Sequence, residues 1–157
     1  MKFSYRPAKT VDLPNLADLL QAFYKVETVP FSRPRSIRTM RNLIARPAAG
    51  RIVVIEADLQ IIGYYCLTFG FSLESHGDIC LLDEIYIVPS FQHRGIGSRT
   101  IRAIALEMTQ SGYKALQLTV NAFNTAAVSF YKKNGFSSTK ASLMTRRLKS
   151  TPPKRAK

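Results

Sequence analysis

Three strand-like runs follow one another in this chain with no helical pattern between them, and the third stops at a proline. Arg51 to Ala57, Gln60 to Phe71 and Ile79 to Val88 are rich in Ile, Val, Tyr and Phe. Asp58-Leu59 separates the first two and reads as a hairpin turn, while Pro89 closes the third. Such a succession predicts an antiparallel meander. After Pro89 the pattern changes. Ile101, Ile104, Ala105 and Met108 fall on one helical face between Gly95 and Gly112, and Leu116, Leu118 and Val120 then alternate as a strand. Asn124 stands as the cap of a further helix, Thr125 to Lys133, ended by Asn134-Gly135, and strand-like residues recur from Leu143 to Leu148.

Ahead of the meander, Phe3 and Tyr5 suggest a short first strand. Asp12 and Pro14 mark a helix start, and Leu13, Leu16, Ala17, Leu20 and Phe23 or Tyr24 recur at helical spacing. A Pro-bearing loop, Val29 to Pro34, leads to a second, basic helix ending before Pro47. The order is β, α, α, β, β, β, α, β, α, β, an α/β arrangement. At 157 residues and 46% hydrophobic content the chain suits one domain, residues 1–149, with a basic tail at 150–157 expected to be disordered.

The formal charge of +13 is unevenly spread. Ile52 to His93 holds six acids (Glu56, Asp58, Glu74, Asp78, Asp83, Glu84) and no Lys or Arg, so that window carries −6 against +19 elsewhere. An acidic island thus sits in a basic chain. The longest apolar run, Ile61 to Leu73, is interrupted by Gly63, Thr68, Gly70 and Ser72, and no signal-peptide pattern opens the chain, so a cytoplasmic protein without a membrane segment is expected. Cys66 and Cys80 lie in apolar strand runs, apart from each other and from His76 and His93, and are expected to be reduced core thiols with no metal.

The sharpest chemical feature is Ile85-Tyr86-Ile87-Val88-Pro89-Ser90-Phe91-Gln92-His93-Arg94-Gly95-Ile96-Gly97-Ser98, a buried strand, a short loop with two glycines and a helix start. Free amides at a helix N-terminus favour an anion, and glycine admits a phosphate close to the backbone. A G-x-G by itself serves equally as a packing turn. The wider segment resembles the GNAT acetyltransferase superfamily, whose cofactor loop reads Q/R-x-x-G-x-G/A, matched here by Gln92, Gly95 and Gly97. A second family segment, an Asn followed by a helix ending in Tyr-x-x-x-Gly-Phe, is matched by Asn124, Tyr131, Gly135 and Phe136. The resemblance is strong from Gly63 to Phe136.

That resemblance implies a GNAT fold, a mixed sheet of six to seven strands splayed at the cofactor strand and flanked by four helices. It also implies acetyl-CoA as co-substrate. Ile85, Tyr86 and Ile87 would pair their backbone with the pantetheine arm, the amides of His93, Arg94, Gly95, Ile96, Gly97 and Ser98 would hold the pyrophosphate, and Gln92 would belong to the cofactor-binding loop. Asn124 would bond the pantetheine, and Tyr131 would sit near the sulfur as general acid.

An amine must lose a proton before it attacks a thioester, so a carboxylate near the acceptor, acting directly or through a water, is the natural base. Asp83 and Glu84 are the candidates. Adjacent strand residues face opposite ways, and Glu84 is favoured because its parity differs from Ile85 and Ile87, a count that a bulge would reset. Glu74 is a candidate acceptor-binding acid, although a water-exposed turn acid explains it better, and Tyr24 and Phe31 are candidate acceptor-pocket residues that core packing explains equally. No nucleophile is furnished for an acyl-enzyme, so direct transfer to a primary amine on a small molecule or protein is expected. Two other readings stand beside it: a module binding nucleic acid or nucleoprotein through the basic surface, including Arg35, Arg38 and Arg41, and a CoA-binding protein without turnover. An exposed final strand would suit a homodimer.

Overall fold

The computed structural model describes residues 2–148. Five strands, β1 (Phe3–Pro7), β2 (Gly50–Ala57), β3 (Gln60–Ser72), β4 (Gly77–Ile87) and β5 (Ala115–Leu118), form one sheet in the order β1-β2-β3-β4-β5. The first four are antiparallel, and β5 joins β4 in parallel. Four helices flank the sheet: α1 (Leu13–Val26), α2 (Arg33–Ile44), α3 (Ile96–Gln110) and α4 (Thr125–Lys133). Short 3-10 turns, Thr10–Asp12 and Pro89–Phe91, precede α1 and the loop before α3.

Helices on both faces explain why the strands read as nearly continuous apolar runs. Val53, Ile55, Tyr65 and Leu67 pack on one side with Ile96, Ile101, Ile104 and Met108 of α3, while Phe130 and Tyr131 of α4 close over them. Ile52, Val54, Tyr64, Cys66 and Tyr86 point the other way, onto Leu13, Leu16, Ala17 and Leu20 of α1 and Met40 of α2. Leu16 has no exposed surface, and burial of such a side chain stabilises the fold by about 2 kcal/mol. The hairpin at Asp58-Leu59 is present, both residues having left-handed φ (49° and 66°) as a tight two-residue turn requires. Cys66 and Cys80 are buried free thiols on opposite faces of the sheet, pushed up by burial to about 12 and about 11.

The structure departs from expectation at three places. Among the described residues no strand forms over Leu143–Leu148, so the sheet has five strands rather than six or seven. Leu143, Met144 and Leu148 are 77%, 91% and 87% exposed, for alternation marks which side chains would share a face but supplies no neighbouring edge to pair with. Val120 likewise lies beyond the end of β5. Asp12 precedes α1 without capping it through its side chain; its carboxylate accepts hydrogen bonds from the Lys9 amide (2.7 Å) and both terminal nitrogens of Arg6 (2.7 and 2.9 Å). Arg6 also donates to Glu56 on β2 (2.9 Å), so the acid ties the helix start to the sheet edge. The basic tail, 150–157, lies outside the described residues. No helix among them is long and apolar enough to cross a membrane.

Candidate functional site

The parallel pair β4/β5 is short. It runs from Ile79 opposite Ala115 to Leu82 opposite Leu118, after which β4 continues to Ile87 while the other chain leaves through Thr119, Val120 and Asn121. A cleft of about 690 Å³ opens where they part, with Asp83 to Ile87 along one wall and Asn124, Ala127, Phe130 and Tyr131 of the α4 region along the other. On this side the backbone of Asp83–Ile87 lacks a strand partner among the described residues, and unpaired strand backbone is a ready template for an extended ligand.

At one end lies the loop of two glycines. Gln92 fastens it: its backbone amide donates to Pro89 O (3.1 Å) and its side-chain nitrogen to Ile87 O (2.7 Å). Gln92 therefore shapes the loop with groups that are already engaged. His93 and Gly95 then take left-handed φ of 59° and 74°, turning the chain sharply into α3. The amides of His93, Arg94 and Gly95 make no hydrogen bond among the described residues, and those of Ile96, Gly97 and Ser98 belong to the first turn, where no intrahelical acceptor exists. The two glycines divide the work. A Cβ at Gly95 would meet nothing within 4 Å, so this position serves the turn and leaves open space for a ligand. A Cβ at Gly97 would stand 3.1 Å from Phe130 Cζ, so that glycine admits α4 against α3, the packing role that a G-x-G could equally serve. Arg94 is not part of the cleft wall; its guanidinium lies over the Phe91 ring, 5.2 Å from the centroid.

The acids are sorted by a bulge. Leu82 faces Leu67 and Glu84 faces Cys66, so Asp83 is the extra residue of β4. Leu82 consequently packs with α3, whereas Glu84, two residues on, turns to the α1 face. Both Asp83 and Glu84 line the cleft. The Glu84 carboxylate accepts one hydrogen bond on each oxygen, from the Tyr24 hydroxyl (2.8 Å) and the Tyr64 hydroxyl (2.8 Å). Burial pushes its pKa above the usual carboxylate value; the two hydroxyls act the other way, and the neighbouring Asp83 charge adds to the rise. Burial also raises Asp83.

Tyr131 sits in the cleft wall with its ring held edge-on by Phe130 (5.3 Å) and Phe136 (5.7 Å). Burial, and secondarily the charge of Glu27, keep its hydroxyl protonated well past neutral pH. Asn124 caps α4 as expected, its side-chain oxygen accepting from the Ala127 amide (3.1 Å), which leaves its side-chain nitrogen without a partner among the described residues. Tyr24 reaches the site only through Glu84, and Phe31 packs edge-on against Tyr24 (6.3 Å); neither forms the cleft wall. Glu74 is not brought in. It lies in the β3/β4 turn, and the seven steps along the strand from Gly77 to Glu84 span about 23 Å of extended chain. Glu27, Tyr64 and Asn121 are site residues that sequence reasoning missed. Glu27 closes α1 at a position no local pattern marks, and Tyr64 looks like any other apolar residue of its strand.

Residues 16–136 match the Acetyltransferase (GNAT) family. Over 85 residues the chain is 32% identical to the uncharacterized N-acetyltransferase YhfO of Bacillus subtilis (strain 168), covering 54% of this chain and 57% of that one. The match thus spans little more than half of the relative. Among solved structures, an integron cassette protein from the mobile metagenome of Cole Harbour Salt Marsh superposes with a TM-score of 0.80 at 25% identity, over 94% of this chain and 91% of the other. An aminoglycoside N-acetyltransferase in complex with CoA shares the fold at a TM-score of 0.78 and 16% identity, over 93% and 95%. With the family match extending from α1 through the loop of two glycines to the end of α4, the chain belongs to the GNAT acetyltransferase family.

Proposed function

We propose that this protein is an acetyl-CoA-dependent N-acetyltransferase that acetylates a cationic primary amine directly, without an acyl-enzyme. The observation that carries the reading is the single cleft that joins unpaired amides at the α3 N-terminus to Glu84 and Tyr131. Acetyl-CoA supplies an acyl group activated as a thioester. The amides from His93 to Ser98 would hold its pyrophosphate, with Arg94 at the loop surface, and the free edge of Ile85, Tyr86 and Ile87 would take the pantetheine arm together with Asn124. Glu84 accepts the proton of the acceptor ammonium, with Asp83 beside it as a second acid, and the Tyr131 hydroxyl gives a proton to the departing sulfur. Cys66 and Cys80 are unsuited to covalent catalysis, because burial keeps both protonated.

The acceptor end is acidic. Among the described residues Glu27, Asp83 and Glu84 line the cleft and no Lys or Arg does, which favours amines carrying more than one positive charge. The test is calorimetric titration with acetyl-CoA and CoA, followed by thiol release with spermidine, kanamycin and a lysine peptide. Micromolar binding lost in the Gly95→Val variant, with turnover of at least one amine, supports the reading; absence of any CoA binding overturns it. Binding with no turnover across those amines would favour a CoA-binding protein without catalysis.

A second association rests on α2, where Arg35, Arg38 and Arg41 are exposed and form no ion pair among the described residues. Such a face suits weak binding to nucleic acid or nucleoprotein, and steeply salt-dependent retention of RNA by the protein would support it. The outer edge of β5, the last strand of the sheet, is where a second copy would add a strand.

A further inference from the structure

Glu84 is held in an unusual way for a solvated acid. One hydroxyl sits on each of its oxygens, and the two come from different elements: Tyr24 from α1, half-buried, and Tyr64 from β3, only 2% exposed. Both contacts are 2.8 Å, the length of a strong hydroxyl–carboxylate hydrogen bond. Neither tyrosine lines the cleft, whereas Glu84 does, so the pair grips the carboxylate from behind and leaves it facing the cleft. The bulge is what makes the grip available. With Asp83 looped out, Glu84 falls opposite Cys66 and onto the same face as Tyr64; in regular register it would share the α3 face with Leu82.

We propose that Tyr24 and Tyr64 are positioning residues of the reaction, holding the Glu84 carboxylate in one orientation and in its charged form so that it meets the acceptor's ammonium ready to take a proton. This rests on the assignment of Glu84 as the base. A carboxylate drawn out of water would otherwise protonate and lose its capacity to act, and two donated hydrogen bonds compensate the charged form without neutralising it. The titratable groups around it are Tyr24 from α1, Tyr64 and Cys66 from β3, and Asp83 on β4 itself. Cys66 is protonated at neutral pH, and Asp83 opposes the Glu84 charge, so the two hydroxyls are the groups that favour it. Each carboxylate oxygen keeps a second lone pair for the incoming proton.

The experiment is carbon-detected NMR titration of the side-chain carboxyl carbons in glutamate-labelled protein. The chain has five glutamates, so Glu84 is assigned by the loss of one resonance in Glu84→Gln. Wild type, Tyr24→Phe, Tyr64→Phe and the double variant are compared, each checked for folding by circular dichroism. Removing either hydroxyl should move the Glu84 midpoint to higher pH, with the double variant moving it furthest, while the other four glutamates stay in place. A midpoint that stays put or falls in folded Tyr24→Phe overturns the proposal, and that variant alone decides if Tyr64→Phe does not fold. Because the titration needs no acceptor, it is independent of catalysis. Unimpaired turnover by Glu84→Gln would instead remove Glu84 as the base while leaving the hydroxyl clamp intact.

Discussion

Glu84 carries two opposed demands, since the burial that raises its pKa also makes its charge costly to the fold. The sign follows from the direction of the shift. A carboxyl whose folded pKa lies above its unfolded value binds protons more readily when folded, so ionisation destabilises the native state as pH rises through that window. Glu84→Gln should therefore be at least as stable as wild type at neutral pH, with the difference vanishing in acid; thermal melts at several pH values check this. The same substitution should lower kcat by roughly 10² to 10⁴ if the base role is right. Rates of the wild type should rise with pH along a limb lying above the ordinary carboxylate range. Asp12 is the opposite case. Its hydrogen bonds from Arg6 chiefly, and also from Lys9, overcome the effect of burial and depress its pKa, so its contribution is present above about pH 4. That contribution disappears as the pH falls through the lowered folded value. Asp12→Asn should cost about 1 to 3 kcal/mol at neutral pH, measured by urea unfolding, and progressively less in strong acid.

At the level of elements, the loop into α3 separates two glycine functions that a single motif had merged. Gly95→Ala places a Cβ at φ 74°, costing about 1 kcal/mol of backbone strain and crowding the face where a phosphate would lie. We expect at least a tenfold loss of CoA affinity by calorimetry. Gly97→Ala acts on Phe130 instead, displacing the neighbour of Tyr131, and should reduce turnover more than CoA binding. The elements themselves were largely legible in the sequence, because their signals are local. Asn124 three residues before the amide it caps, Gly112 and Gly135 at helix ends and Asp58-Leu59 in its turn need no knowledge of distant chain. The site was legible only where it is local too. The grip of Tyr24 and Tyr64 on Glu84 spans 60 and 20 residues and depends on a bulge, so alternation could suggest the side on which Glu84 lies but not its partners. Residues 143–148 show the converse, since a strand-like pattern without an adjoining edge makes no strand.

Across the whole molecule, charge is partitioned between a basic exterior and an acidic cleft. With Glu27, Asp83 and Glu84 in the wall and no Lys or Arg there among the described residues, attraction for a polyamine should weaken as salt shortens the range of the field to about 8 Å at physiological ionic strength. The KM for spermidine should then rise between low and physiological salt while kcat changes little, which steady-state kinetics over a salt series would show. An unchanged KM would place the acceptor's second charge outside the cleft.

The sheet also separates two kinds of inheritance. Residues 13–44 pack on one face, whereas α3, which the loop at 88–95 joins to β4, packs with α4 on the other. If the proposed roles hold, α1, α2 and the turn between them can change with the amine while the loop that would hold the nucleotide stays as it is. Under the proposed roles Tyr24 would not be free to drift with the rest, because its hydroxyl holds Glu84, and Phe23, Val26 and Glu27 reach the cleft from the same end of the helix.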